Sequence, residues 1–328
     1  MKNTLWLLLA VLFALVFVLD ILLGSIDIPL SEFRAVLSGE ESIYTDIIKD
    51  LRLPKAITAV LAGSALSVAG LLLQTFFRNP LAGPDVLGIS AGAGLGVALL
   101  LMSSAVLPAF IMLSGWGQVI SAVLGAVGVM LIVIAVSVRL RSAASLLIVG
   151  IMIGSICGSL IGVLQNLSNP DTVKIYVVWT FGSLGSVTWS YLQIMFPLVL
   201  LGLFSALVLS KPLNALLLGE QNAQSLGVSI HFSRTAIVTV AALLTGVTTA
   251  FTGPIAFIGI AVPHLARGLF QTSDHRALLP ATMLCGAMLM LVCDVITQLP
   301  SGGNTLPINS VSALFGAPVV IWVILRKK

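Results

Sequence analysis

Charge is scarce in this sequence: 9% of its residues are Asp, Glu, Lys or Arg, against 58% hydrophobic. A soluble globule carries about a quarter of its residues charged, so a water-facing exterior is excluded and lipid has to be the solvent. The mean hydropathy of +1.14 agrees. Cysteine is scarce as well. Cys157, Cys285 and Cys293 fall inside apolar stretches, and the last two lie eight residues apart on one predicted helix. That spacing is about 12 Å of rise, too far for a disulfide. No Cys/His group has zinc spacing, so the three read as buried structural thiols. The dipeptide Gly-Lys does not occur, which removes the G-x-x-x-x-G-K-[ST] phosphate loop, so any ATP energy has to come from a partner. No Ser/Pro-rich linker or charge block divides the 328 residues, and 1–328 read as a single transmembrane domain. The sixteen Lys and Arg are scattered over a net charge of +4, which leaves no nucleic-acid footprint.

What is present is a succession of apolar runs. Near-spanning segments occur at 5–23, 56–76, 86–102, 117–138, 143–164, 191–209, 235–252, 254–266, 277–297 and 308–325, an all-α integral membrane protein of about ten transmembrane helices. The first run follows Lys2 and is too long for a signal sequence, so it reads as an uncleaved span. With both termini cytoplasmic, eleven Lys and Arg fall inside (Lys2, Arg78, Arg139, Arg141, Lys211, Arg234, Arg267, Arg276, Arg326, Lys327, Lys328) and five outside (Arg34, Lys49, Arg52, Lys55, Lys174). The positive-inside rule therefore favours an even number of spans. The eighth segment, Pro254 to Arg267, contains Pro263 and is too short to cross the bilayer upright, so it should be buried among neighbours or line a cavity. Asn169 to Trp189, rich in Gly and Trp, fits a short outer-face or re-entrant helix.

Several motifs carry two readings. Gly88, Gly92 and Gly96, and Gly63, Ser67 and Gly70, recur at helix-packing intervals and point to close helix contacts. Gly88 to Gly92 also matches G-x-S-x-G, with Ser90 as nucleophile and His264 as an imagined base, but that elbow needs a strand-to-helix turn in an α/β sheet. Asp20, Asp294 and His264 lie near predicted span ends, where snorkelling or capping accounts for them, and they make no proton or sodium relay. Ion-coupled secondary transport is thus the weaker alternative. The one long inner loop, Lys211 to Ser233, places a short helix between Gly219 and Gly227 with Glu220 in its first turn, and reads as a solvated connector or as a knob for a soluble partner.

Four stretches together resemble one family: LRLPKAITAVLAGSALSVAGLLLQTFFRNPLAGPDVLGISAGAG from Leu51, LGEQNAQSLG from Leu218, GPIAFIGIAVPHLAR from Gly253, and LPINSVSALFGAPVVIWVILRKK from Leu306. They are similar to the FecCD/BtuC-like permeases, the transmembrane subunits of type II ABC importers for iron-siderophore, haem or cobalamin. The resemblance covers nearly the whole chain. It implies the type II ABC importer permease fold, a homodimer in the bacterial inner membrane with two ATP-binding cassette ATPase subunits below and a solute-binding protein above. It implies a metal-chelate cargo, ferric siderophore first with cobalamin and haem behind, and no cofactor or metal of the chain's own. Residue by residue, it implies binding-protein docking by Arg52 and Lys55, with Gln298 standing where the cobalamin importer has a further Arg. It implies a cytoplasmic gate at Asn79, Leu81 and Ser142. The Leu218 to Gly227 loop resembles the helix that seats in the ATPase, through Glu220, Ala223, Leu226 and Gly227.

Overall fold

The computed structural model describes residues 2–24, 28–38, 42–102, 115–140, 143–299 and 305–326. Among them every regular element is helical. In chain order these are α1 (Lys2–Leu22), α2 (Leu30–Ser38), α3 (Leu53–Phe77, entered through a π-helical turn Ile47–Arg52), α4 (Ile89–Met102), α5 (Gly115–Arg139), α6 (Ala143–Leu167) and α7 (Pro170–Thr180). Then follow α8 (Trp189–Val208), α9 (Ser210–Leu217), α10 (Glu220–Ser225), α11 (Ile230–Thr252), α12 (Ile258–Phe270), α13 (His275–Thr297) and α14 (Ile308–Arg326). Seven helices among the described residues are long and apolar enough to span, and α4, α12 and α14 supply three shorter apolar ones. Each of the ten predicted segments has its helix. The Asn169 to Trp189 stretch holds α7, as its composition led us to expect.

Local chemistry sets the ends. Pro54 opens α3, and Arg78 closes it in the left-handed conformation at φ 49°. Ser229 accepts from the Phe232 amide at the start of α11, and Asp274 accepts from the Arg276 amide at the start of α13. Phe257 and Gln271, both left-handed, bracket α12. Its thirteen residues pack against α3, α13 and α14, which is where a helix too short to cross alone has to sit.

The bundle is built around α3, whose apolar window is 89% buried inside the subunit. Helices α8, α11, α12 and α13 pack around it, while α4 packs on α5 and α6, and α11 touches both groups. In lipid these contacts need close approach rather than a hydrophobic drive. A Cβ added at Gly70 would lie 1.7 Å from the Gly259 carbonyl oxygen, and one at Gly125 would lie 2.0 Å from that of Gly92. The small-residue stripes read from the sequence are therefore packing seams. The three cysteines are buried and free.

Candidate functional site

Two clusters of polar side chains sit at opposite ends of the bundle. The end that carries the 211–233 loop gathers the residues expected to form gate and coupling elements. After Phe77 the chain turns through Arg78 to Leu81; the Asn79 side chain accepts from the Leu81 amide at 3.0 Å, and Leu81 is 39% exposed. This turn is held on two sides. His264 Nε2 lies 2.8 Å from the Pro80 carbonyl oxygen, and the Arg78 guanidinium donates to the Leu216 carbonyl at the end of α9 (3.3 Å). Ser142, the other expected gate residue, lies outside the described residues.

From Leu216 the chain runs directly into α10. Gly219 (φ 106°) and Gly227 (φ 83°) take backbone conformations that other residues rarely adopt, and they turn the helix sharply in and out. Glu220 reaches back to Arg234 of α11 at 3.8 Å. Ala223 and Leu226, three residues apart, differ sharply in exposure. Ala223 is fully buried inside the subunit, whereas Leu226 is 65% exposed. Leu217 (49%) and Leu218 (60%), which lead into α10, are exposed as well, so the loop presents three apolar side chains to its surroundings.

A third set of residues here was not singled out from the sequence. The buried imidazole of His275 bridges Thr75 of α3 (2.8 Å) and Asn214 of α9 (2.8 Å), and Asn214 donates to Asp274 (2.6 Å). That amide orientation makes Asn214 Oδ1 an acceptor for the His275 Nδ1 proton, while Nε2 faces the Thr75 hydroxyl, which also lies 2.9 Å from the Leu71 carbonyl oxygen. The Arg276 amide and then Asn214 hold the Asp274 carboxyl below the usual carboxylate range. The cap is thus intact at neutral pH and is lost only as pH falls through that lowered value. Asp274 before a long apolar run was the one sequence signal for this cluster, and nothing local pointed to Thr75.

At the opposite end, Arg52 and Lys55 are turned inward. Arg52 is 8% exposed and donates to the Ile21 and Leu22 carbonyls at the end of α1 (2.8 and 2.6 Å). Lys55 Nζ lies 2.9 Å from Asp294 Oδ2, to which Gln298 also donates at 3.0 Å. Asp20 faces the same cluster. Asp20 and Asp294 are 3% and 2% exposed, so both are buried inside the subunit rather than snorkelling, and Asp294 is the partner of Lys55. Two acidic and two basic side chains clasp α1, α3 and α13 together. Ser90 and His264 do not meet: Ser90 lies 3.4 Å from Thr249, and His264 is engaged with Pro80. Among the described residues no His, Cys, Asp and Glu cluster could hold a metal ion.

This arrangement, a helix-buried α3 with a turn tied to a short loop helix at one end, can be compared with known proteins. The profile of the FecCD transport family matches residues 11–326. The chain belongs to the FecCD transport family. The vitamin B12 import system permease protein BtuC of Klebsiella pneumoniae is 38% identical over 282 residues, 86% of this chain and 83% of that one. The hemin transport system permease protein HmuU of Yersinia pestis is 36% identical over 280 residues, 85% and 83% of the two chains. A solved metal-chelate type ABC transporter in an inward-facing conformation superposes with a TM-score of 0.84 at 28% identity, covering both chains completely. As a FecCD family member the chain is a multi-pass permease subunit of an ABC importer, with the fold of that structure.

Proposed function

We propose that a homodimer of this chain forms the translocation path of a binding-protein-dependent importer for a metal chelate, with two ATPase subunits on the side of the 211–233 loop and a solute-binding protein on the other. The observation that carries this reading is the hydrogen bond from Arg78 to the Leu216 carbonyl (3.3 Å). It joins the gate turn to the helix that leads into α10, so a partner that displaces α10 reaches Asn79 and Leu81 through one short helix and one side chain. ATP binding and hydrolysis in the partners would then switch the path between outward-facing and inward-facing states. Leu226 and its exposed neighbours seat in the ATPase, while Glu220, Ala223 and Gly227 shape the helix that presents them. Ser142 belongs to the same gate by resemblance. The excess of Lys and Arg at this end, eleven against five, supports placing it and both termini in the cytoplasm of a bacterium.

Docking of the binding protein falls to the region of Arg52 and Lys55, whose cations exchange their internal partners for acidic groups of the docked protein. The relatives named for vitamin B12 and hemin put those chelates ahead of a ferric siderophore as cargo. The test is reconstitution of permease, ATPase and binding protein in proteoliposomes, with labelled vitamin B12, haem and a ferric siderophore supplied in turn. Uptake that needs ATP and all three proteins, and no ion gradient, is the expected result. Uptake by the permease alone under a proton or sodium gradient would replace this reading with ion-coupled transport.

A further inference from the structure

We propose that Asp85 lines the water-filled route that cargo takes between the middle of the membrane and the gate turn, an assignment that rests on the importer reading above. Asp85 follows Pro84 in the single 3-10 turn Pro84–Leu87, which links the gate turn to α4. Its depth can be measured on two neighbours. Arg234, near the start of α11, donates to the Leu140 carbonyl just before α6, so those two helices begin at one level. Gly150 is seven residues into α6, about 10 Å along it, and a Cβ there would lie 2.2 Å from the Val86 carbonyl oxygen. Ile89 reaches Gly246, twelve residues beyond Arg234, about 18 Å along α11. The two rulers put residues 86–89 between about a third and about three fifths of the way through a hydrocarbon layer of ~30 Å.

Irregular backbone at that depth exists only where protein buries it or a water-filled cavity lies beside it. Pro84, Leu87 and Gly88 take the first option and are buried, while Asp85 among them is exposed. A carboxyl group at this level cannot face acyl chains without a large cost, so its open side meets either water or the second subunit, and labelling from the aqueous phase decides between them. The surrounding surface favours water. The Ser90 hydroxyl is a close neighbour of Asp85 and lies 3.4 Å from that of Thr249. Ser155 and Ser159 are exposed on α6 just past Gly154, which abuts Gly88. Four residues before Asp85 stands Leu81, exposed at the gate turn. Hydroxyls and one carboxylate thus form a polar strip that descends to the gate. A carboxylate only accepts hydrogen bonds, so the cargo groups it would meet are amide or hydroxyl donors on the rim of a chelate.

Thiol labelling of the permease in lipid nanodiscs, without ATPase or binding protein, tests the water access. Asp85→Cys should react with a charged, lipid-insoluble reagent at least about tenfold faster than Leu87→Cys, whose position is fully buried on the same turn. Equal, slow reaction at both would overturn the assignment, and because no ATP is involved this result is separate from any failure of ATP-driven import. Uptake supplies the second readout. Asp85→Asn, which keeps the wall hydrated, should stay within a few-fold of the native rate, whereas Asp85→Leu should dewet the strip and slow uptake about tenfold or more with binding-protein docking unchanged. Equal uptake by the two variants would also overturn it.

Discussion

Lys55 and Asp294 are 239 residues apart in the chain and 2.9 Å apart in the fold, and the carboxylate side of the pair is almost entirely buried. A buried pair of this kind is worth little against apolar replacements, but removal of one partner strands the other. Lys55→Ala should therefore destabilise the permease by about 3 kcal/mol, read as a lower unfolding temperature in detergent. Lys55→Met with Asp294→Leu should recover most of that loss. A single variant as stable as the native chain would show that water already reaches Asp294.

The split between Ala223 and Leu226 separates two kinds of damage on one short helix. Leu226→Glu should leave the isolated permease within about 0.5 kcal/mol of native stability. It should weaken ATPase association about ten- to a hundredfold, the equivalent of an apolar contact of ~1.5–3 kcal/mol. Ala223→Trp should instead destabilise the permease itself by ~1–3 kcal/mol through overpacking. Co-purification with the ATPase and unfolding in detergent tell these apart, and a Leu226 variant that binds normally would remove its seating role.

Arg78 offers a test of transmission. Glycine accepts the φ of 49° found there, so Arg78→Gly deletes the bond to Leu216 without straining the turn. ATP hydrolysis by the assembled importer should persist while cargo moved per ATP falls several-fold. An unchanged ratio would mean that the stroke reaches the gate by another route, such as Asn214, His275 and Thr75.

The seam between α3 and α12 tolerates no added atom at its closest point. Gly70→Ala puts a methyl group where the Gly259 carbonyl already is, and the helices have to separate. We expect a loss of more than about 3 kcal/mol, at the upper end of overpacking, or failure to accumulate in the membrane. Gly158→Ala, where nothing lies within 4 Å in the subunit, is the control and should accumulate normally.

The fold was legible because hydropathy and span length are local properties: each apolar run became a helix, and even the shortness of 254–266 told where α12 had to go. The turn at 78–81 and the loop helix were legible because Gly219, Gly227 and Pro80 mark turns by their own backbone preferences. What stayed hidden depends on partners distant in sequence. Arg52 looked like a surface cation until Ile21 and Leu22 supplied its acceptors, and Asp20 and Asp294 looked like interfacial groups until both were found buried beside Lys55. Ala223 and Leu226 share a helical spacing, but the left-handed exit at Gly227 and the packing against α11 decide which of them points inward.

The near-complete enclosure of α3 has a consequence for biogenesis. It leaves the ribosome second among the spans, yet three of the four helices that pack around it, α11, α12 and α13, are made in the last third of the chain. During most of synthesis Thr58, Ser64, Ser67 and Gln74, all buried in the finished subunit, have to face lipid or the insertion machinery. Ser64 and Ser67 reach the Met283 and Thr282 carbonyls, and Gln74 reaches that of Ile260, only when α12 and α13 arrive. Thr58 and Ser67 can still bond the Pro54 and Ser64 carbonyls of α3 itself, so a chain truncated before residue 258 would leave the Ser64 hydroxyl and the Gln74 amide without these partners at membrane depth, a mark by which proteolytic surveillance would distinguish an unfinished subunit from a completed one.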